Sequence, residues 1–149
     1  MKINGTYKLN AAPDVVWKML MDPTVLEKVT PGVKQLKPLG EDAYNAISEV
    51  RIGPVKGTFE GNLSVRDKVT EKSCLLVIDQ KSKSGNVVAE IGMQFNALDD
   101  GKTEVKYTGE AKMSGMLARM GQRIMSGVVS TLSKQFFQAF ENELEKNGA

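Results

Sequence analysis

Few residue types in this 149-residue chain can do chemistry. It has no histidine and a single cysteine, Cys74. That excludes an imidazole general base, a Ser-His or Cys-His nucleophile pair, and any His-containing or all-cysteine zinc site. Most hydrolases and metalloenzymes are excluded, and neither a metal nor a covalent cofactor is expected. Of the acids, Glu49, Glu60, Glu90, Glu104 and Glu110 fall on the polar phase of alternating segments, which predicts a solvated face and no catalytic carboxylate pair. Arg119 and Arg123, four residues apart on the terminal helix, are read as solvated, with contact to a partner protein or anionic lipid as the lesser alternative. Two hydroxyls stand on an apolar phase. Tyr107, among small neighbours, could hold the polar end of a ligand, and Ser48 could do likewise. Gly101-Lys102-Thr103 imitates the end of a phosphate loop, but Asn96 stands where its first glycine is needed and the context is a hairpin. Asn4-Gly5-Thr6 and Asn62-Leu63-Ser64 match glycosylation sequons within predicted strands.

The elements that position these residues follow from periodicity. Ile3, Gly5, Tyr7 and Leu9 alternate with polar residues, as in a half-buried strand. Pro13 suits a first helical position, with Val16, Trp17 and Leu20 on one face, and Trp17 is expected to anchor this helix. Asp22-Pro23 divides it from a second short helix that Pro31-Gly32 closes, a turn that could also shape a cavity mouth. Six strands follow at about 33–39, 43–52, 55–66, 73–81, 86–98 and 103–113, joined by short turns, an antiparallel meander. A long helix is expected over 116–145, N-capped by Ser114, with weak points at Gly121 and Gly127. The fold class is α+β: seven antiparallel strands, two short helices after the first, and a long C-terminal helix that covers the sheet.

Length and 41% hydrophobic residues suit one domain over 1–149. Twenty Lys and Arg against 18 Asp and Glu, spread along the chain, give a net charge of +2 and no nucleic-acid footprint. With no leader, no internal disulfide and no apolar run near the roughly 18 residues of a membrane span, a reduced, cytoplasmic protein is expected.

Side-chain size on the inner phase is the sharper signal. Ala46, Ser48, Gly57, Gly61, Ala89, Gly109 and Ala111 are small, among larger Phe59, Leu63, Ile91, Met93, Phe95 and Tyr107. If the helix rests on the large residues, the space over the small ones is an apolar pocket; if the glycines bend strands and the alanines admit the helix, the core is filled. Met113, Met116, Met120 and Met125 tip the reading toward a pocket for a hydrophobic small molecule, because thioether chains repack readily. Its candidate lining is Ser48, Phe59, Gly61, Met93, Phe95, Tyr107, Gly109, Met120, Ile124 and Val128.

Three segments carry a family resemblance. They are Ala12-Pro13-Asp14-Val15-Val16-Trp17-Lys18-Met19-Leu20-Met21-Asp22-Pro23 with Leu26, Pro31-Gly32 and Leu36; Val50-Arg51-Ile52-Gly53-Pro54-Val55-Lys56-Gly57-Thr58-Phe59 with Gly61; and Ser114-Gly115-Met116-Leu117-Ala118-Arg119-Met120-Gly121 leading to Phe136-Phe137. Together they resemble the carbon monoxide dehydrogenase G-subunit (CoxG) family of the START-like (SRPBCC, helix-grip) superfamily. The resemblance implies a seven-stranded sheet gripping the C-terminal helix over an apolar cavity. It also implies a non-catalytic role beside a molybdenum hydroxylase such as carbon monoxide dehydrogenase, carrying a quinone or other lipid, with peripheral contact at the inner face of the cell membrane. Many relatives continue into a membrane-binding tail, whereas this sequence ends at Asn147-Gly148-Ala149. The alternatives are a cyclase- or dehydratase-type enzyme of the superfamily, and a protein–protein adaptor with an incidental cavity.

Overall fold

A computed structural model describes residues 1–146, so Asn147-Gly148-Ala149 lie outside the described residues. Strand β1 (Lys2–Leu9) leads into helices α1 (Pro13–Leu20) and α2 (Pro23–Val29). Each helix opens on a proline, whose missing N–H costs nothing at that position. The Asp22 carboxylate caps α2 by accepting from the Thr24 N–H at 2.9 Å.

The chain then folds through β2 (Val33–Gly40), β3 (Ala43–Ile52), β4 (Val55–Val69), β5 (Ser73–Ser82), β6 (Gly85–Ala97) and β7 (Thr103–Met113). All pairings are antiparallel, in the order β1-β7-β6-β5-β4-β3-β2. The expected meander and its inward phase are present. Strand β4 runs to Val69, past the expected end at 66, across a register shift between Arg66 and Val69. The edge strand β2 is irregular, with register shifts at Val33/Gln35 and Pro38/Gly40.

The terminal helix departs from expectation. Helix α3 (Gly115–Arg119) and helix α4 (Gln122–Lys146) replace one continuous rod, and they part at Gly121, whose φ is 88°. The cause is tertiary. Helix α3 closes the end of the sheet, tied to the β5/β6 turn by the Leu117 N–H donating to the Ser84 carbonyl at 3.1 Å, while α4 turns away to cross the sheet. Ser114 does not cap the helix with its side chain; its hydroxyl accepts from the Asn86 N–H at 3.0 Å. Arg119 and Arg123 therefore stand on different helices, and their expected shared face is not formed.

Both helix glycines have room for a side chain, since a Cβ at either meets nothing within 4 Å, but their backbones differ. Gly121→Ala puts an L-residue in left-handed backbone and should destabilise the protein by about 1 kcal/mol. Gly127→Ala, in ordinary helix, should stabilise it by about 0.5–1 kcal/mol. Urea unfolding of the two variants, read for midpoints of opposite displacement, checks the pair.

Buried residues form separate clusters rather than one mass. At one end Leu9, Val16, Val29, Phe95, Val105, Phe140 and Leu144 join α1, α2, the sheet and the end of α4. At the other, Val55, Phe59, Leu117, Met125 and Val128 join β4, α3 and the start of α4. A third group, Ile3, Ala89 and Ala111, sits on β1, β6 and β7. Helix α4 makes its main contacts with α2 and β1, not with the middle of the sheet. It is propped at the borders.

Candidate functional site

A helix propped over a curved sheet leaves a hollow, and here it is a cavity of about 390 Å³, within the usual range for small-molecule sites. Its floor bears the mark of that hollow. Leu63, Leu76, Ile78, Ile91 and Met93 point inward from central strands, yet they are only half-buried because no side chain covers them. Met125, Val128, Val129, Leu132, Phe136 and Phe137 of α4 form the roof. Pro31, Val50 and Leu132 border both this cavity and a shallower surface depression flanked by Lys34, Glu49 and Arg51, which marks a mouth beside the Pro31-Gly32 turn. Glu49 is shared there by Arg51 at 3.5 Å and Lys34 at 3.8 Å.

The lining contains no Asp, Glu, Lys or Arg among the described residues. Glu49, Glu60, Glu90 and Glu110 are exposed, and the half-buried Glu104 accepts from the Asn96 amide at 3.4 Å, so the acids stand away from the cavity. Its polar groups are the side chains of Thr30, Tyr44, Ser48, Cys74, Gln80, Tyr107 and Ser133. The Thr30 hydroxyl is occupied, donating to the Leu26 carbonyl at 2.7 Å.

Five of the ten residues expected to line a pocket do so: Ser48, Phe59, Met93, Tyr107 and Val128. The other five do not. Phe95 lies deeper, edge-on to Trp17 with ring centroids 5.6 Å apart, and the pair locks α1 to the sheet in the anchoring role expected of Trp17. Gly61 and Gly109 have the inward phase but serve the sheet itself. A Cβ on Gly61 would collide with the Asp79 carbonyl, and one on Gly109 with the Glu90 carbonyl, so both are sites where neighbouring strands come close. Ile124 is 45% exposed on the first turn of α4, and Met120 lies at the helix break beside the Val55 cluster. Of the methionines expected to mark a pocket, Met113 and Met125 line the cavity, whereas Met116 is 57% exposed.

Tyr107 faces inward, but its ring lies flat over Gly5 of β1, where any Cβ would strike the phenol. It stacks on Phe137 at 5.7 Å, so these two aromatics wall this side, and Tyr7 backs them by stacking on the Phe137 ring at 4.7 Å. The Tyr44 hydroxyl and the Gln80 amide also lack a hydrogen-bond partner among the described residues and line the cavity. The sequence reading misses both, although Tyr44 shares the phase of Ala46 and Ser48, and Gln80 that of Cys74, Leu76 and Ile78. Burial, reinforced by the Asp42 carboxylate, raises the Tyr44 pKa above the ordinary 10.0 and keeps the phenol neutral.

Cys74 lines the cavity as a buried thiol, pushed up to about 11 from 9.0 by loss of solvation. Its thiolate fraction at neutral pH is about 100-fold below that of an ordinary thiol, and alkylation should slow in proportion. Mass-spectrometric labelling by iodoacetamide at pH 7, native against urea-unfolded, checks this. No group of three or more Cys, Asp or Glu capable of holding a metal occurs among the described residues.

Comparisons with known proteins agree with this architecture. The model of a family described as the carbon monoxide dehydrogenase G-subunit (CoxG) matches residues 5–145. A conserved protein from Geobacillus kaustophilus is 32% identical, with a TM-score of 0.95 over 98% of this chain and 96% of that one. A START superfamily protein from Mycobacterium smegmatis, 12% identical, superposes with a TM-score of 0.76 over 97% of both chains. The ZhuI aromatase/cyclase from a Streptomyces species, 13% identical, gives 0.74 over 100% and 96%. These last two share the START-like helix-grip fold alone. No curated protein matches the chain.

Proposed function

Because the chain belongs to the carbon monoxide dehydrogenase G-subunit (CoxG) family, we propose that it is a non-catalytic carrier. Its cavity would shelter an apolar, quinone-like ligand, in support of a molybdenum-containing carbon monoxide dehydrogenase or related hydroxylase. The observation that carries this reading is the hollow itself: a floor of half-buried aliphatic side chains with no charged side chain in its lining among the described residues. Such a surface gains by covering itself with hydrocarbon, and none of the charged side chains that would hold a charged substrate lines it among the described residues. A few uncommitted polar groups, Ser48, Tyr44 and Gln80, are enough to orient a carbonyl or hydroxyl on that ligand.

A cyclase-type reaction on the same fold would need an acid or base in the cavity. Its lining offers no carboxylate among the described residues, and burial holds the Tyr44 phenol neutral. The carrier reading uses what is present.

The test is mass spectrometry of an organic-solvent extract of the purified protein, compared with an extract of an unrelated protein from the same host, followed by uptake of an added short-chain quinone. A near-stoichiometric quinone or other lipid is expected. An empty extract with no uptake overturns the reading and moves the search to the protein surface.

A further inference from the structure

One side chain on the cavity floor is out of keeping with an aliphatic surface. The inward phase of β5 carries Cys74, Leu76 and Ile78, and then the amide of Gln80. Gln80 stands in register with Gly61 of β4, which is in register with Ala46 of β3, and on its other side is Val87 of β6. None of these side chains can bond an amide. Position 61 must stay bare, because a Cβ there would meet the Asp79 carbonyl. Ser48, two residues beyond Ala46 on β3, shares the same inward phase. At about 4.8 Å per strand, Gln80 and Ser48 are separated by about 10 Å across the sheet, with only Gly61 and Ala46 between them. Both are half-buried, and neither has a hydrogen-bond partner among the described residues. Ser82, next in phase on β5, is by contrast engaged, its hydroxyl donating to the Gly85 carbonyl at 2.7 Å. Val33, in register with Ser48, and Val50, two residues on, put this gap just inside the mouth. Ile91 and Met93 of β6 lie three strands away from Ser48, on the far part of the floor.

A ligand that fills the hollow strips water from the amide. Hydrocarbon would then leave two N–H donors and a carbonyl oxygen unsatisfied, a cost larger than a formed hydrogen bond returns. An ionised head group is equally unsuited, since no cationic side chain lines the cavity among the described residues to balance it. We infer that Gln80, assisted by Ser48, determines the specificity of the cavity: the pair holds an uncharged carbonyl or hydroxyl oxygen over Gly61, and the apolar body of the ligand extends toward Ile91 and Met93. An amide and a hydroxyl each both donate and accept, so the pair serves the oxidised and reduced forms of such a group alike. The inference rests on the carrier reading and adds to it the class of cargo: neutral, oxygen-bearing molecules in preference to hydrocarbons and carboxylates.

The test is equilibrium dialysis of the full chain against three ligands with the same fused rings. They are a naphthoquinone methylated at both free quinone carbons, which leaves Cys74 no carbon to attack, the dimethylnaphthalene of the same outline, and naphthoate. Gln80→Met keeps the length of the side chain and removes its donors and its carbonyl. It should bind the quinone about 10-fold more weakly, the equivalent of about 1.4 kcal/mol, and the hydrocarbon at least as tightly as the parent does. Ser48→Ala should weaken the quinone by about 3-fold and leave the hydrocarbon unchanged. Naphthoate should stay outside the parent protein. Thermal melts verify folding of both variants. An unchanged quinone affinity in either folded variant, an equal loss of both neutral ligands, or uptake of naphthoate on a par with the quinone overturns the inference, and the carrier reading then stands on the parent's uptake of the neutral pair. A parent that takes up neither neutral ligand overturns both.

Discussion

Leu76→Trp should fold as the parent does and bind an apolar ligand about 100-fold more weakly. Leu76 sits on the cavity floor in register with Val65 of β4 and Ile91 of β6, and it is half-buried although it points inward. An indole there grows into open space, so the fold tolerates it and gains buried apolar area. A ligand must then displace the indole or strain the walls, and overpacking costs about 1–3 kcal/mol, at its upper end two decades of affinity. Thermal denaturation shows whether the variant folds. Titration with a short-chain naphthoquinone, read by quenching of the emission of Trp17 and the introduced indole, shows whether it binds. Unchanged affinity in a folded variant would place the ligand outside this cavity.

Gly109→Leu, which on sequence grounds looks like another way to fill the pocket, should instead fail to fold, at a cost of about 3 kcal/mol or more. The obstacle is backbone. A Cβ at 109 would strike the Glu90 carbonyl oxygen and lie 2.8 Å from the Ile91 Cα, and a neighbouring strand cannot withdraw as a flexible side chain could. Gly109→Ala carries the same Cβ and should show most of the same loss, which separates backbone collision from cavity filling. Circular dichroism and urea titration measure both. A stable Gly109→Ala variant would refute the close strand approach at this position.

The contrast between these two substitutions shows where the sequence is legible. Alternation has period two regardless of tertiary context, so the inward phase of β3, β6 and β7 is readable directly, and Ser48, Met93 and Tyr107 fall where it places them. The role of an inward glycine depends on how near the adjacent strand passes. That is a property of sheet curvature, and nothing local to Gly61 or Gly109 encodes it. Helical period likewise aligns Met120, Ile124 and Val128 into one stripe, but only if the helix is unbroken. The break at Gly121 answers to the β5/β6 turn, some 35 residues earlier in the chain, and it leaves Ile124 facing outward. Tyr44 and Gln80 are legible by phase, but small side chains alone do not point to them, since a cavity is also lined by larger polar groups that stop short of its centre.

The sheet does not close on itself, so β1 and β2 each leave a row of backbone donors and acceptors without a strand partner. Such rows are templates on which a second copy could extend the sheet, the usual first step toward fibrils. Along β2 the template is spoiled: two register shifts interrupt its spacing, Pro38 lacks an N–H, and Lys34 and Lys37 would bring like charges together. Along β1, Lys2 and Lys8 stand near the two extremities. A hollow protein sacrifices some of the cohesion of a filled core, and these borders keep that weakness from becoming polymerisation when the molecule is concentrated.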